Sequence, residues 1–161
     1  MDGEDLQRFV PDLLQARYPG AYRQIDFSAD EVNKLFGWTL NLDGAFLTVK
    51  AAQTTHPFIW IRGGIAHAIP RTEDLALRVA SGNRELMSGR IYMGYGDDIA
   101  MVAFDEAIMA GYLSLDFEPS IQDLVNRFEA AINYTREWSR TVLEDFGGRP
   151  FGEDDWQLLA F

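Results

Sequence analysis

The chain has 161 residues, 47% of them apolar and 13% aromatic, enough for one domain with a real core, so wholesale disorder and a small cysteine-stapled scaffold are excluded. Its 14 basic and 25 acidic side chains leave a formal net charge of -11, which disfavours nucleic acid and anionic membrane surfaces as partners. There is no cysteine, hence no disulfide framework, thiol nucleophile or Cys-ligated zinc. The acidic start Met1-Asp2-Gly3-Glu4-Asp5 does not read as a secretory signal and no apolar run is long enough to span a bilayer, so a cytoplasmic protein is expected. The acid is uneven: residues 1–80 carry 8 basic and 10 acidic side chains, residues 81–161 carry 6 and 15. The second half is therefore expected to expose an acidic face, either plainly solvated or recruiting a basic partner.

Leu6, Phe9, Val10, Leu13 and Leu14 fall at helical spacing before the Tyr18-Pro19-Gly20 stop, and Pro11 is expected to kink or divide that helix. Ser28-Ala29-Asp30-Glu31 has the spacing of a capping box and predicts a short helix before Phe36. The period then changes to two: Phe36, Trp38, Leu40 and Leu42 alternate, Asp43-Gly44 is a hairpin turn, and Phe46 to Ala51 returns. A third strand covers 58–62, is interrupted by Gly63-Gly64 and resumes through Ile69, with a bulge or bend at the glycines. Thr72 to Met87 reads as a helix, weakened by Gly82. Ile91 to Tyr95 and Ile99 to Phe104 flank a Gly96-Asp97-Asp98 turn as a second hairpin, and residues 105–118 have no clear period. Ile121 to Phe146 holds helical spacing between Pro119-Ser120 and Gly147-Gly148-Arg149-Pro150.

The elements thus follow a helix-β-β-β-helix-β-β-helix order. Strand runs and helix runs that do not alternate predict an α+β domain with a single antiparallel sheet of about five strands. The domain is expected to span 1–151, followed by an acidic and aromatic tail, 152–161.

Few constellations carry chemistry. Tyr95-Gly96-Asp97-Asp98 is similar to the metal-binding hairpin of viral RNA-dependent polymerases, but that site needs a basic template channel and a far longer chain. An ordinary Gly/Asp hairpin turn is the expectation. Gly94-x-Gly96 lacks the third glycine of a dinucleotide fingerprint, and His56 and His67 lack a third spaced ligand for a metal. Asp97-Asp98 and Asp105-Glu106 put adjacent carboxylates on alternate faces, so neither pair converges by itself. No catalytic residue, cofactor or metal is assigned.

Strand parity gives the main lead. Trp38, Leu40, Leu42, Leu47, Val49, Ala51, Ile59 and Ile61 supply one buried face, which leaves Phe46, Phe58 and Trp60 on the other, with Tyr92 and Phe104 as candidate additions. An aromatic second face needs a cover: the long C-terminal helix, the tail, a second chain or a peptide.

The order of elements resembles the YbjN and type III secretion chaperone-like family of small acidic bacterial α+β proteins. The likeness is carried by Asn83-Arg84-Glu85-Leu86 with Gly89-Arg90 leading into the 91–104 hairpin, by the long helix ending Phe146-Gly147-Gly148-Arg149-Pro150-Phe151, and by the preceding meander. It implies a homodimeric, non-enzymatic, chaperone-like protein that holds a partly extended client peptide or protein on apolar patches. The candidate partner-binding residues are Phe46, Phe58, Trp60, Tyr92 and Phe104, and the candidate dimer element is helix 72–87, whose Ala76, Ala80 and Ser81 allow close approach. The alternatives are a regulatory adaptor that binds a folded partner, and a divalent-metal-dependent enzyme using Asp97, Asp98 and Asp105.

Overall fold

Asp2 opens the first helix by reciprocal capping: its carboxylate accepts from the Asp5 backbone N–H at 2.9 Å while the Asp5 carboxylate accepts from the Asp2 N–H at 3.2 Å. In the computed structural model, which describes residues 1–26, 34–54, 56–114 and 116–160, this helix is α1, Gly3–Arg17. Pro11 does not divide it. The proline forfeits one hydrogen bond of the ladder, but Leu6, Val10, Leu13 and Leu14 form an unbroken buried stripe that holds the two halves on the sheet.

Six antiparallel strands follow: β1 Tyr22–Asp26, β2 Lys34–Leu42, β3 Ala45–Gln53, β4 Phe58–Pro70, β5 Arg90–Tyr95 and β6 Ile99–Met109. They form one sheet in the order β1-β2-β3-β4-β6-β5. The α+β class and the single antiparallel sheet are as expected, with one strand more than the sequence pattern suggested. The extra strand is β1, an edge strand in which Ile25 alone is buried, so it shows no alternating apolar signature. The capping box expected at Ser28 to Glu31 lies outside the described residues.

The predicted hairpin is present, with Asp43-Gly44 joining β2 to β3 and Gly44 at φ +71° supplying the left-handed turn residue. The third strand is not interrupted at the glycines. It runs from Phe58 to Pro70 as one strand whose register slips against β6 between Gly64 and Ala66 and again between Ala66 and Ile69.

The second helix, α2, spans Glu73–Gly82 and stops short of the expected Met87. Thr72 caps its start by accepting from the Leu75 N–H at 3.2 Å. At the far end Asn83 turns the chain: its side-chain amide donates to Val79 O and to Ile91 O, while its side-chain oxygen accepts from the Ile91 N–H at 2.7 Å. One amide thus closes α2 and covers a backbone pair on the outer edge of β5. The long helix α3, Glu118–Phe146, has 29 residues and ends at Gly147, φ +75°. Beyond it residues 153–159 form a 3-10 helix.

The sheet is covered on both faces. Trp38, Leu40, Leu47, Val49, Ile59 and Ile61 join Leu6 and Val10 of α1 and Leu124, Phe128, Ile132 and Trp138 of α3 in the main core. Phe151 and Leu159 of the C-terminal segment cover Phe46 and Ala103 on the second face. Neighbouring glycines in β4 show how closely each cover sits. A Cβ on Gly63 would lie 1.8 Å from Thr135 Oγ1 of α3, and one on Gly64 would lie 2.3 Å from the Phe151 ring.

Gly63→Ala should therefore cost about 1–3 kcal/mol through overpacking. Thr135→Ala should cost little by itself, because the buried Thr135 hydroxyl has no hydrogen-bond partner among the described residues. Adding it to Gly63→Ala should restore at least half of the loss in urea melts, and strict additivity of the two changes would show that the helix does not contact the strand at this point.

Candidate functional site

Strand register sorts the five candidate aromatics. Lys50 pairs with Trp60 and Ala52 with Phe58 across β3 and β4, while Val49 pairs with Ile61 and Ala51 with Ile59. Phe46, Phe58 and Trp60 therefore lie on the face opposite Trp38 and Leu40, as parity predicts. Tyr92 joins them through its pairing with Ala103. Phe104 does not. It pairs with Gly63 and Ile91, faces α3, is 0% exposed and packs its ring 5.7 Å from that of Tyr134. Its neighbour Asp105 takes the second-face position instead, opposite Arg62 and Arg90.

The four second-face aromatics do not form one patch. Phe46 is 2% exposed under Phe151 and Leu159. Phe58 and Trp60 stay half-buried and meet edge to face, with ring centroids 6.4 Å apart at 64°. Tyr92 and Met101 pack against the edge of the cluster that the C-terminal segment closes.

Between these aromatics runs a row of polar side chains, of which the sequence pattern singles out Asp105 alone. Arg90 on β5, Asp105 on β6, Arg62 on β4 and Thr48 on β3 are successive cross-strand partners on the second face. Asp105 Oδ1 accepts from Arg62 Nε at 3.1 Å and from the Trp60 indole N–H. Asp105 Oδ2 accepts from Arg90 Nε at 3.1 Å and Nη2 at 2.9 Å. The Arg62 guanidinium lies 4.3 Å from the Trp60 ring centroid and 5.4 Å from that of Tyr92, so it is flanked by π-faces as well as paired. Arg62 Nη1 then donates to Leu159 O at 3.0 Å, and Lys50 Nζ donates to Ala160 O. Two buried cations of the sheet thus hold main-chain carbonyls of the C-terminal segment. The available signal was a charged residue inside each apolar run, Lys50, Arg62 and Asp105, at second-face parity.

That segment is also fastened at its start. His67 and Arg149 exchange backbone hydrogen bonds of 3.0 and 2.8 Å, the His67 and Phe151 rings meet edge to face at 4.9 Å, and His67 Nε2 lies 3.5 Å from Asp155 Oδ2. The expected boundary between domain and tail at residue 151 is crossed by these contacts: residues 149–160 pack as part of the sheet's second layer.

The carboxylates weighed as a metal site are not brought together. Asp97 and Asp98 are exposed at the β5–β6 turn, whereas Asp105 is buried further along β6 with both oxygens engaged. Glu106 faces the opposite side and accepts from Arg127 Nη1 at 2.8 Å. Among the described residues no group of three or more His, Asp or Glu is arranged to hold a metal ion.

Part of the second face stays open. A hollow of about 390 Å³ is bounded by Trp60, Arg62, Arg90, Tyr92, Gly94 and Met101. Through Gly94 and Met101 it adjoins a second hollow of about 530 Å³, bounded further by Tyr95, Ile99 and Leu158. The result is a groove along β5, cationic and aromatic at one end and apolar at the other.

Burial and the neighbouring Arg62 guanidinium pull the Lys50 ammonium down from 10.5 to about 8, with Asp105 acting in the opposite sense. A base whose folded value lies below its unfolded one binds fewer protons when folded between about pH 8 and 10.5, so stability rises with pH across that window. Wild-type stability minus that of Lys50→Met should accordingly rise by about 1–2 kcal/mol between about pH 8 and pH 9.5. Urea denaturation at fixed ionic strength measures this, and parallel curves would mean that the Lys50 ammonium stays hydrated.

In comparison with known proteins, no family model matches this chain and no curated protein matches it.

Proposed function

We propose that this protein is a non-enzymatic, chaperone-like binding module that holds an extended segment of a client polypeptide on the second face of its sheet. The observation that carries this reading is the seat of residues 149–160. They dock on that face, residues 153–159 as a 3-10 helix, with Phe151 and Leu159 as apolar anchors and two main-chain carbonyls on Arg62 and Lys50. Recognition through main-chain carbonyls is tolerant of sequence, and aromatic anchors supply most of the affinity.

The open groove beside this segment offers the same chemistry to a second strand of polypeptide. Trp60 and Tyr92 present half-buried rings, the Arg62 guanidinium lies close to both, and Arg90 lines the groove beside them. The resemblance of the element order to the YbjN and type III secretion chaperone-like family supports the same reading, and the proposal includes the cytoplasm as its place of work.

A fluorescein-labelled, reduced and carboxymethylated polypeptide, which stays unfolded, tests the proposal by anisotropy. The protein should bind it saturably, and Trp60→Ala should weaken binding by about tenfold or more while the variant keeps a cooperative melt. Absence of saturable binding, or equal binding by Trp60→Ala, would refute the assignment.

A further inference from the structure

Resting on that reading, we infer that the groove along β5 selects an extended segment carrying a carboxylate and a large aliphatic side chain four positions apart. The two ends of the groove differ in chemistry and their separation is set by the strand. Arg90 and Gly94 are both second-face residues of β5, four positions apart. At about 3.3 Å per residue that is about 13 Å, which an extended client spans with the same number of residues, both side chains on one face.

The Arg90 end is cationic. Arg62 and Arg90 both pair there with a single carboxylate, Asp105, which leaves a surplus of positive charge at that end within a protein of net charge -11. The Arg90 side chain is 69% exposed and spends one N–H of Nε and one of Nη2 on Asp105, so the Nη1 hydrogens and the second Nη2 hydrogen are left for a ligand among the described residues. A carboxylate meets such a guanidinium with a charge-assisted hydrogen bond.

The far end is apolar. Ile99 and Leu158 flank it with Met101 and are exposed at 52% and 40%, apolar side chains left open to a ligand at one place. Gly94, lacking a side chain, leaves the passage between the two ends open. A Cβ there would meet only the flexible tip of Met101, at 3.2 Å, so a larger residue can be introduced without straining the strand.

The probe is a fluorescein-labelled nine-residue peptide of threonine and serine with a glutamate at the third position and a leucine at the seventh. Two controls carry glutamine in place of the glutamate, or the glutamate and leucine three positions apart and hence on opposite faces of an extended chain. The probe should bind about tenfold or more tightly than either control. Its advantage over the glutamine control should vanish in Arg90→Gln, and Gly94→Val should abolish binding while leaving the melt cooperative. Equal affinity for all three peptides, or an undiminished glutamate advantage in Arg90→Gln, overturns the selectivity. If the carboxymethylated polypeptide still binds in a Trp60-dependent way, the binding assignment stands without the selectivity, and if neither polypeptide nor peptides bind, both fall.

Discussion

The carboxylate of Asp105 organises the second face of the sheet. Burying an ion costs several kcal/mol unless its lone pairs are met, and here the Trp60 indole, Arg62 and Arg90 meet them from three directions. In return Asp105 allows Arg62 to sit 7% exposed, its guanidinium within 4.3 and 5.4 Å of the Trp60 and Tyr92 ring centroids and one nitrogen donating to the carbonyl of Leu159. A side chain on β6 thereby decides where residues 149–160 rest. An apolar residue at that position would leave a buried guanidinium without its counter-ion, and the face would lose the donors that hold main chain.

The two covers of the sheet are of different kinds. On the first face α1 and α3 interdigitate apolar side chains with the strands, and bare glycines allow the closest approach: Gly63 under Thr135, and Gly82 under the Trp138 ring, 2.0 Å from where a Cβ would stand. Such packing tolerates little change of volume. On the second face a single 3-10 segment rests on a few anchors and on main-chain carbonyls, with Leu158 left exposed beside the groove. Fewer buried apolar contacts mean a lower local opening free energy, and binding surfaces are drawn from such regions. The first face is closed by helix packing, whereas the second is closed by one short segment and stays partly open beside it.

Much of the fold was legible because the relevant signals are local. Asp43-Gly44 marks a hairpin through its own backbone preferences, and the apolar stripe from Leu124 to Val142 marks α3 through its own period. What escaped was of two sorts. Strand β1 is an edge strand with one buried residue, so it carries no periodic signal. The end of α2 is decided by Asn83, whose amide bonds Ile91 of β5 eight residues on, and by the approach of Trp138 of the distant α3 to Gly82, contacts that no periodic signal records.

The candidate site divides in the same way. Alternation by itself placed Phe46, Phe58 and Trp60 opposite Trp38, because side chains on a regular strand have only two directions and β3 and the first part of β4 keep register. Phe104 was misplaced because nothing local to β6 relates its phase to that of β4. Only the pairing of Gly63 with Phe104 across the sheet turns that ring inward and Asp105 outward. Likewise Lys50, Arg62, Arg90 and Asp105 are spread over 56 positions of sequence, from 50 to 105. The meeting of Arg62 and Arg90 on the Asp105 carboxylate, and the arrival of Leu159 on Arg62 and of Ala160 on Lys50, are products of strand order and chain return. Composition and period determine which faces are buried, since burial follows from each residue's own chemistry. Which buried charges meet, and what lies across them, is a matter of tertiary contact, since it depends on partners that no local pattern names.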